Sequence, residues 1–182
     1  MIPVEYLWFT LFLVFGIIGM VRGLLKELGV TTVLLLSLFV LKFTWDLLGE
    51  QGTAALSGRA PANTVVVLYY SITILFVAYI SYQGFTLSFP IREMRGVAKA
   101  VLGLPGGLLN GYLIVGTVWD VLAQTDYLGL KVPYGSTGTM VAISENLTHL
   151  HNSVVQFLPI TFIDQYLMLV LGMILLVAIL LR

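Results

Sequence analysis

Five long apolar stretches constrain the fold of this chain more than any other feature of its sequence. A helix that crosses the hydrocarbon core of a bilayer needs about 20 predominantly apolar residues. The stretches of about that length cover residues 3–21, 28–48, 64–87, 97–123 and 162–181. Hydrophobic residues make up 59% of the chain and charged residues only 10%, whereas a soluble domain has roughly 45–50% and about 25%. The sequence therefore predicts an all-α integral membrane protein with five transmembrane helices.

The basic residues of the connections predict the orientation, because cytoplasmic connections of membrane proteins carry an excess of Lys and Arg. Those between spans one and two or between spans three and four are Arg22, Lys26, Arg92, Arg95 and Lys99. With five spans, Arg182 falls on the same side, and only Arg59 and Lys131 fall on the other. We expect an outer N-terminus, a cytoplasmic C-terminus and five cytoplasmic anchors. Because Glu5, and no basic residue, stands at the start of span one, we expect a retained span and not a signal peptide.

Residues 22–27 are the only connection between the first two spans. One helix over residues 3–48 would be roughly 70 Å long at 1.5 Å per residue, which is far more than the thickness of a bilayer. The chain must turn back, and Gly23 and Gly29 flank the charged residues and offer the hinge. We expect a tight membrane hairpin.

Two segments are expected on the outer side. Residues 49–63 are rich in small residues and predict a loop, whereas residues 144–158 predict an amphipathic helix that lies on the outer membrane surface. Its apolar face would consist of Leu147, Leu150, Val154, Phe157 and Leu158. His149 and His151 lie about 200° apart on such a helix, so they do not converge on a metal. We interpret them as interfacial polar residues, with a single axial ligand to a haem or chlorin as the alternative.

Three of the ionisable residues inside the spans are candidate functional residues, because an ionisable residue within a membrane indicates function by default. They are Lys42, Asp46 and Asp120, and each lies near an outer end, so we treat them as membrane-rim charges. Lys42 and Asp46 are four residues apart and share a helix face. We expect the lysine stem to reach the interface and the charges to pair. An ion or proton relay is the alternative.

The sequence contains no pattern that indicates catalysis. It has no HExxH, GxSxG or Walker motif, and the lack of cysteine excludes thiolate metal sites and cysteine nucleophiles. A formal net charge of zero argues against a nucleic-acid partner. We expect a non-enzymatic chain with no cofactor, whose partners are the lipid bilayer and helices of other membrane proteins. Contact with a pigment or lipid would follow if the chain belongs to a larger complex.

Glycines in spans one and four form small-residue faces. Successive residues spaced by four rotate by only about 40° on a helix, so Gly103, Gly107 and Gly111 form one groove, and Asn110 lies close to the same line. Span one has a similar face with Gly16, Gly19 and Gly23. Such faces let helix backbones approach closely in lipid, and the amide of Asn110 offers an interhelical hydrogen bond. The faces fit either packing within the chain or contact with a partner protein.

Two stretches in this order resemble a known family. VEYLWFTLFLVFGIIGMVRGLLKELG has an acidic residue, an apolar span and then R-G-x-x-x-E, with Glu5, Arg22, Gly23 and Glu27 at those positions. LGLPGGLLNG follows a charged segment and carries three glycines spaced by four. Over about residues 1–120 the chain is similar to the colicin V production protein family of bacterial inner-membrane proteins, whose pattern is D-R-x-L-G-x-x-x-G-x-x-R-G.

The chain departs from this family at identifiable positions. Lys99 and Ala100 stand where the family has Asp-Arg, Asn110 stands where it has Arg, and a fifth span is added. The resemblance implies a location in the bacterial cytoplasmic membrane and a helix layout. It connects the chain only loosely with colicin V production, export and envelope functions.

Three hypotheses of function follow from the sequence. The first is a non-enzymatic protein of the colicin V production type, which acts in assembly or export through the glycine faces of spans one and four; Gly107→Leu is then expected to disrupt association. The second is an accessory structural subunit of a larger respiratory or photosynthetic membrane complex. The third is a small channel or exporter, which would need a polar line across the bilayer. The expected organisation is a four-helix membrane domain over 1–123, an outer loop over 124–161 and the fifth transmembrane helix over 162–182.

Overall fold

A computed structural model of the chain describes residues 4–56, 61–83, 96–129, 131–133, 141–143 and 153–181. Its elements are α1 Val4–Arg22, α2 Leu24–Leu56, α3 Ala62–Gln83, α4 Val97–Gln124, the 3₁₀ segment Asp126–Gly129, β1 Lys131–Pro133, β2 Val141–Ile143, α5 Pro159–Phe162 and α6 Gln165–Leu180. The short strands β1 and β2 pair in parallel, with Lys131 opposite Val141. Helices α1 to α4 are each long and apolar enough to cross a membrane. The predicted helical class is confirmed for the described residues, and four helices are compatible with crossing a membrane.

The outward faces of the long helices are apolar, as a bilayer requires. Leu13 and Ile17 of α1 and Ile72 and Phe76 of α3 are each about 60% exposed. A helix satisfies its own backbone hydrogen bonds, so it can present such side chains to lipid without cost from unpaired amide groups. Helices α1 and α3 therefore each have one exposed apolar face that is compatible with lipid and one face that packs on the bundle.

Helix α2 lies in the middle of the bundle and contacts α3, α4 and α6. Helix α1 packs chiefly on α4 and runs antiparallel to it, since Trp8 stacks on Trp119 near one end and Gly19 lies against Gly103 near the other. The centre of the bundle is filled by large side chains with at most 1% exposure: Leu34, Leu38, Ile74, Leu113 and Ile114. The protein therefore has an apolar middle, and its buried polar groups lie towards the two ends.

The hinge of the first hairpin is one residue. Gly23 separates α1 from α2 and has a φ of 89°, a left-handed conformation that glycine adopts without the cost of a Cβ. The connection is therefore shorter than the expected residues 22–27, because Arg22 ends α1 and residues 24–27 already form the first turn of α2. Gly29, the other expected hinge residue, lies within α2.

The outer segments differ from expectation at two places. The predicted loop over residues 49–63 is wrong for residues 49–56, because α2 continues to Leu56; Glu, Gln, Ala and Leu in this stretch are good helix formers. Of the expected outer amphipathic helix, residues 144–152 lie outside the described residues, and residues 153–155 are helical and lead through a turn into α5.

The fifth apolar helix is α6, and it is shorter than the stretch that predicted it. It has 16 residues, which makes it about 24 Å long, whereas a hydrocarbon core is about 30 Å thick. It begins after Asp164, whose carboxylate accepts a hydrogen bond of 2.8 Å from the Tyr166 amide.

Candidate functional site

Among the described residues, the largest group of buried polar side chains lies where α1 ends and α2 begins. Its members are Arg22, Glu27, Thr31, Tyr82 and Asn110, which we call the Glu27 cluster. Glu27 is completely buried, and the single-residue hinge brings it back towards α1. Because the members come from α1, α2, α3 and α4, the cluster joins all four long helices.

Arg22 supplies the positive charge of the cluster. Its Nε lies 2.8 Å from Glu27 Oε1, and its side chain is 22% exposed. Its Nη1 donates to the Tyr82 carbonyl oxygen at 3.1 Å, and the guanidinium lies 4.6 Å from the centre of the Tyr82 ring. A guanidinium over an aromatic face gains electrostatic attraction from the ring. Arg22 was predicted to be a cytoplasmic anchor, and in the structure it also binds the buried carboxylate.

Hydrogen-bond donors surround the other oxygen of Glu27. Oε2 accepts from the Tyr82 hydroxyl at 2.9 Å and from Asn110 Nδ2 at 2.8 Å. Asn110 Nδ2 also lies 3.0 Å from the Glu27 carbonyl oxygen, and Asn110 Oδ1 accepts from the Thr31 hydroxyl at 2.7 Å. A buried charge is tolerated when it is both paired and hydrogen-bonded, and Glu27 meets both conditions.

The glycine faces of α1 and α4 lie against each other beside this cluster. A Cβ added to Gly19 would lie 2.6 Å from Gly107 Cα and closer still to the Gly103 carbonyl oxygen. A Cβ on Gly106 would lie 3.0 Å from Glu27 Cβ. The small residues therefore let two helix backbones meet and leave space for the Glu27 side chain behind them.

The remaining glycines of the two faces also contact this chain. A Cβ on Gly16 would meet the Leu108 side chain at 2.9 Å, and one on Gly111 would meet Phe15 Cβ at 2.8 Å. One on Gly23 would meet the stem of Lys99 at 3.0 Å. The glycine faces are thus occupied by contacts within the chain, so these surfaces are not open to a partner protein.

A second polar group lies at the opposite end of α4. Asp120 is completely buried, and one of its oxygens accepts from the Thr161 amide at 2.8 Å. The other accepts from the Thr161 hydroxyl and from Gln124 Nε2, both at 2.8 Å. We call Asp120, Gln124 and Thr161 the Asp120 cluster. It fastens the short helix α5 to α4, while a Cβ on Gly116 of α4 would lie 2.9 Å from Pro159.

The structure corrects the interpretation of the rim charges. Asp120 is buried beneath α5, because the chain between α4 and α6 folds back over it. Lys42 Nζ donates to the Ile160 carbonyl oxygen at 3.1 Å instead of pairing with Asp46, which is exposed. Two of the three predicted rim charges therefore hold α5 in place.

Other predicted residues lie apart from both clusters or outside the described residues. Lys26 and Lys99 are half-buried around a crevice at the hinge. Arg92, Arg95, His149 and His151 lie outside the described residues. Within the described part of the chain, no group of three His, Asp or Glu side chains could hold a metal ion.

No family model, curated protein or solved structure matches this chain. The resemblance to the colicin V production family therefore stays a prediction. The location in a bacterial inner membrane depends on that resemblance, so it also stays a prediction. What the structure establishes is a helical protein that is compatible with a membrane.

The sequence singled out Arg22 and Asn110, but it did not predict that both contact the Glu27 carboxylate. Glu27 was assigned to the connection, although Thr31 follows it by four residues and so shares its face of α2. That polar pair near the start of an apolar span was the available signal. Tyr82 carried no signal of its own, because aromatic residues are common at the ends of transmembrane helices.

Proposed function

We propose that this chain is a non-enzymatic, multi-pass membrane protein of the colicin V production type that acts in assembly or export through lateral helix contacts. The proposal rests on which surfaces of the chain are used in internal contacts and which remain exposed. The glycine faces and both polar clusters are used inside the chain, whereas large apolar side chains remain on the outer faces of α1, α3 and α6. Such a bundle offers apolar helix faces to neighbours in the bilayer.

The proposal includes a fifth span and a bacterial inner-membrane location. Helix α6 runs along α2, since a Cβ on Gly172 would lie 2.8 Å from Leu36. Lys42 of α2 also holds α5, which directly precedes α6, through the Ile160 carbonyl oxygen. With α6 crossing, the N-terminus lies outside and the C-terminus in the cytoplasm. This orientation places Arg22, Lys26 and Lys99 on the cytoplasmic side, as the distribution of basic residues predicts.

The packed apolar centre of the bundle also favours an assembly role over a pore through one chain. Leu34, Leu38 and Ile74 fill the space between the two polar clusters and are almost completely buried. A conducting path would need polar groups or water in that space.

The occupied glycine faces change which variant tests the proposal. Gly107→Leu would disturb the contact between α1 and α4 inside the chain, so a loss of association would not identify a partner surface. Outward positions are needed: Ile17 on α1, Phe76 on α3 and Ile174 on α6, which are 59–61% exposed. Each can carry a photoreactive side chain without entering the core.

The experiment is a purification in a gentle detergent, with the mass and absorbance of the intact particle measured before and after photocrosslinking. We expect stoichiometric protein partners and a crosslinked product of discrete mass from one or more of the three faces. Bound pigment or haem in the absorbance spectrum would assign the chain to a respiratory or photosynthetic complex. A particle containing only this chain, with lipid as the only crosslinked product, would refute the assembly role.

A further inference from the structure

A groove with a volume of about 400 Å³ lies between α2 and α3. Its α2 side lies within residues 33–41 and its α3 side within residues 69–77. The lining side chains are apolar except for the hydroxyl groups of Ser37, Thr73 and Tyr69. Sites for small molecules are mostly apolar, have a few polar groups and occupy about 300–1,000 Å³, so the groove has the composition and size of such a site.

The hydroxyl groups of Ser37 and Thr73 lie at the same depth, at the centre of the membrane-compatible region. The spans of α2 and α3 are Leu24–Gly49 and Ala62–Gln83, and each of the two residues is within one residue of the middle of its span. Since the hydrocarbon core is about 30 Å thick, the headgroups lie about 15 Å away on either side. Phospholipid headgroups therefore cannot reach these hydroxyl groups.

These two hydroxyl groups make no hydrogen bond with any described residue. Elsewhere in α2, Thr31 and Thr32 each donate to the carbonyl oxygen four residues earlier at 2.9 Å, and Thr117 of α4 donates in the same way. Such bonds to the helix backbone are common for Ser and Thr, because an unpaired hydroxyl group is costly in an apolar environment. Ser37 and Thr73 instead offer two free donors to the groove.

An aromatic side chain bounds one end of the groove. The Tyr69 hydroxyl donates to the Leu41 carbonyl oxygen at 3.3 Å. The centroid of the Tyr69 ring lies 5.5 Å from that of Trp45 and 5.2 Å from that of Tyr70. These contacts hold the ring beside the groove, one helical turn from Thr73. Because aromatic rings pack favourably on one another, Tyr69 favours an occupant that contains a flat ring.

The dimensions of the groove exclude a whole helix. Residues 33–41 of α2 cover about 12 Å at 1.5 Å per residue, so the volume corresponds to a mean cross-section of roughly 33 Å². A helix with its side chains is about 10–12 Å across, which is a cross-section of about 80 Å² or more. A flat ring is only about 3.5 Å thick. The groove therefore fits a ring with a short apolar chain.

We propose that this groove binds a quinone-type lipid, with the Ser37 and Thr73 hydroxyl groups donating to its carbonyl oxygens and Tyr69 against its ring. A quinone carbonyl is a neutral acceptor, so it needs no counter-charge, and no charged side chain is among the described lining residues. The acyl chain of a phospholipid would fill the space but leave both hydroxyl groups unpaired. The proposal concerns binding alone and does not rest on the assembly role.

The test measures saturable binding of decylubiquinone to the full-length protein in phosphatidylcholine nanodiscs. Quinones quench tryptophan fluorescence, and Trp45 contacts Tyr69 of the groove, so quenching reports occupancy. Decylbenzene is the matched competitor, because it has a ring and the same chain but no oxygen atom. We expect decylbenzene to displace the quinone only at about tenfold higher concentration, which is the effect of two hydrogen bonds in a membrane.

The double variant Ser37→Ala/Thr73→Val removes both hydroxyl groups and nearly keeps the shape of the groove. We expect it to raise the Kd for decylubiquinone about tenfold. Its unfolding midpoint should not fall below that of the native chain, because the hydroxyl groups make no bond to lose. The matched control Thr10→Val/Ser71→Ala removes one threonine and one serine hydroxyl group outside the groove and should leave the Kd unchanged.

A second variant keeps the test decisive if the double variant does not fold. Val40 lines the groove and is 56% exposed, so Val40→Phe can fill the groove from its edge without entering the core, and it should abolish saturable quenching. Equal potency of decylbenzene and decylubiquinone, or an equal loss of affinity in the control variant, would overturn the proposal. A native chain without saturable quenching would overturn it too, and would point to a side chain of a neighbouring helix as the occupant.

Discussion

The contact between Gly19 and Gly107 predicts a sharp difference between two glycine-to-alanine variants. In Gly107→Ala the new Cβ would lie 2.8 Å from Gly19 Cα and closer still to the Phe15 carbonyl oxygen. Carbon atoms are in favourable contact at 3.5–4.0 Å, so α1 and α4 must move apart by about 1 Å. Both clashing groups belong to the backbone, and neither can rotate away.

Gly16→Ala is the matched control on the same pair of helices. Its Cβ would meet the end of the Leu108 side chain at 2.9 Å, and a leucine can adjust its rotamer. Overpacking costs typically 1–3 kcal/mol, and alanine regains up to about 1 kcal/mol of helix propensity. We expect Gly107→Ala to lower the free energy of unfolding by about 2 kcal/mol and Gly16→Ala by less than about 1 kcal/mol.

The assay is unfolding of the purified protein by titration of SDS into mild-detergent micelles, followed by tryptophan fluorescence. Trp8 and Trp119 stack across α1 and α4 with ring centroids 5.7 Å apart, so their emission reports separation of these two helices. Equal unfolding midpoints for Gly107→Ala and Gly16→Ala would refute the argument from backbone contact.

Three further variants test the polar clusters by the same assay or by hydrogen exchange. Glu27→Gln should lower the free energy of unfolding by about 2–3 kcal/mol, since it leaves the largely buried Arg22 without its counter-charge; stability equal to the native chain would contradict this. Asn110→Leu should cost about 1–2 kcal/mol, the sum of several interhelical hydrogen bonds in a membrane, and an unchanged midpoint would show that these bonds are not stabilising. Asp120→Ala should raise amide exchange in α5, most clearly at Thr161, while exchange in α3 stays unchanged; equal protection of α5 would rule out the fastening role.

The sequence predicted the long helices well and their contacts poorly, for a physical reason. The length of an apolar stretch can be read directly from neighbouring residues in the sequence. The predicted span boundaries therefore agree within a few residues with the ends of α1, α3 and α4. The end of α2 was missed because its last turns lie past the apolar stretch, where hydropathy carries no information. The short helix α5 was missed because four residues have no detectable period.

The environment of a charge depends on residues far away in the chain. Asp120 was placed at the membrane rim because only its own span was considered, and the chain that buries it returns 41 residues later at Thr161. Likewise, Glu27 could be seen to share a face with Thr31, whereas Tyr82 and Asn110 come from other helices. The spacing of Gly103 and Gly107 indicated a close helix contact, but spacing cannot say whether the other helix belongs to the same chain.

The order of these residues along the chain has a consequence for synthesis at the membrane. Asn110 follows Glu27 by 83 residues, and translation at about 5–20 residues per second needs roughly 4–17 s to cover that distance. During this interval the carboxylate already has its counter-charge, Arg22, five residues earlier in the chain and on the α1 side of the hinge. A hairpin that pairs these two charges across Gly23 can leave the insertion machinery with its buried carboxylate already neutralised. The later helices then add hydrogen bonds to a carboxylate that is already neutralised. The first hairpin can therefore remain inserted in the bilayer before those helices are made.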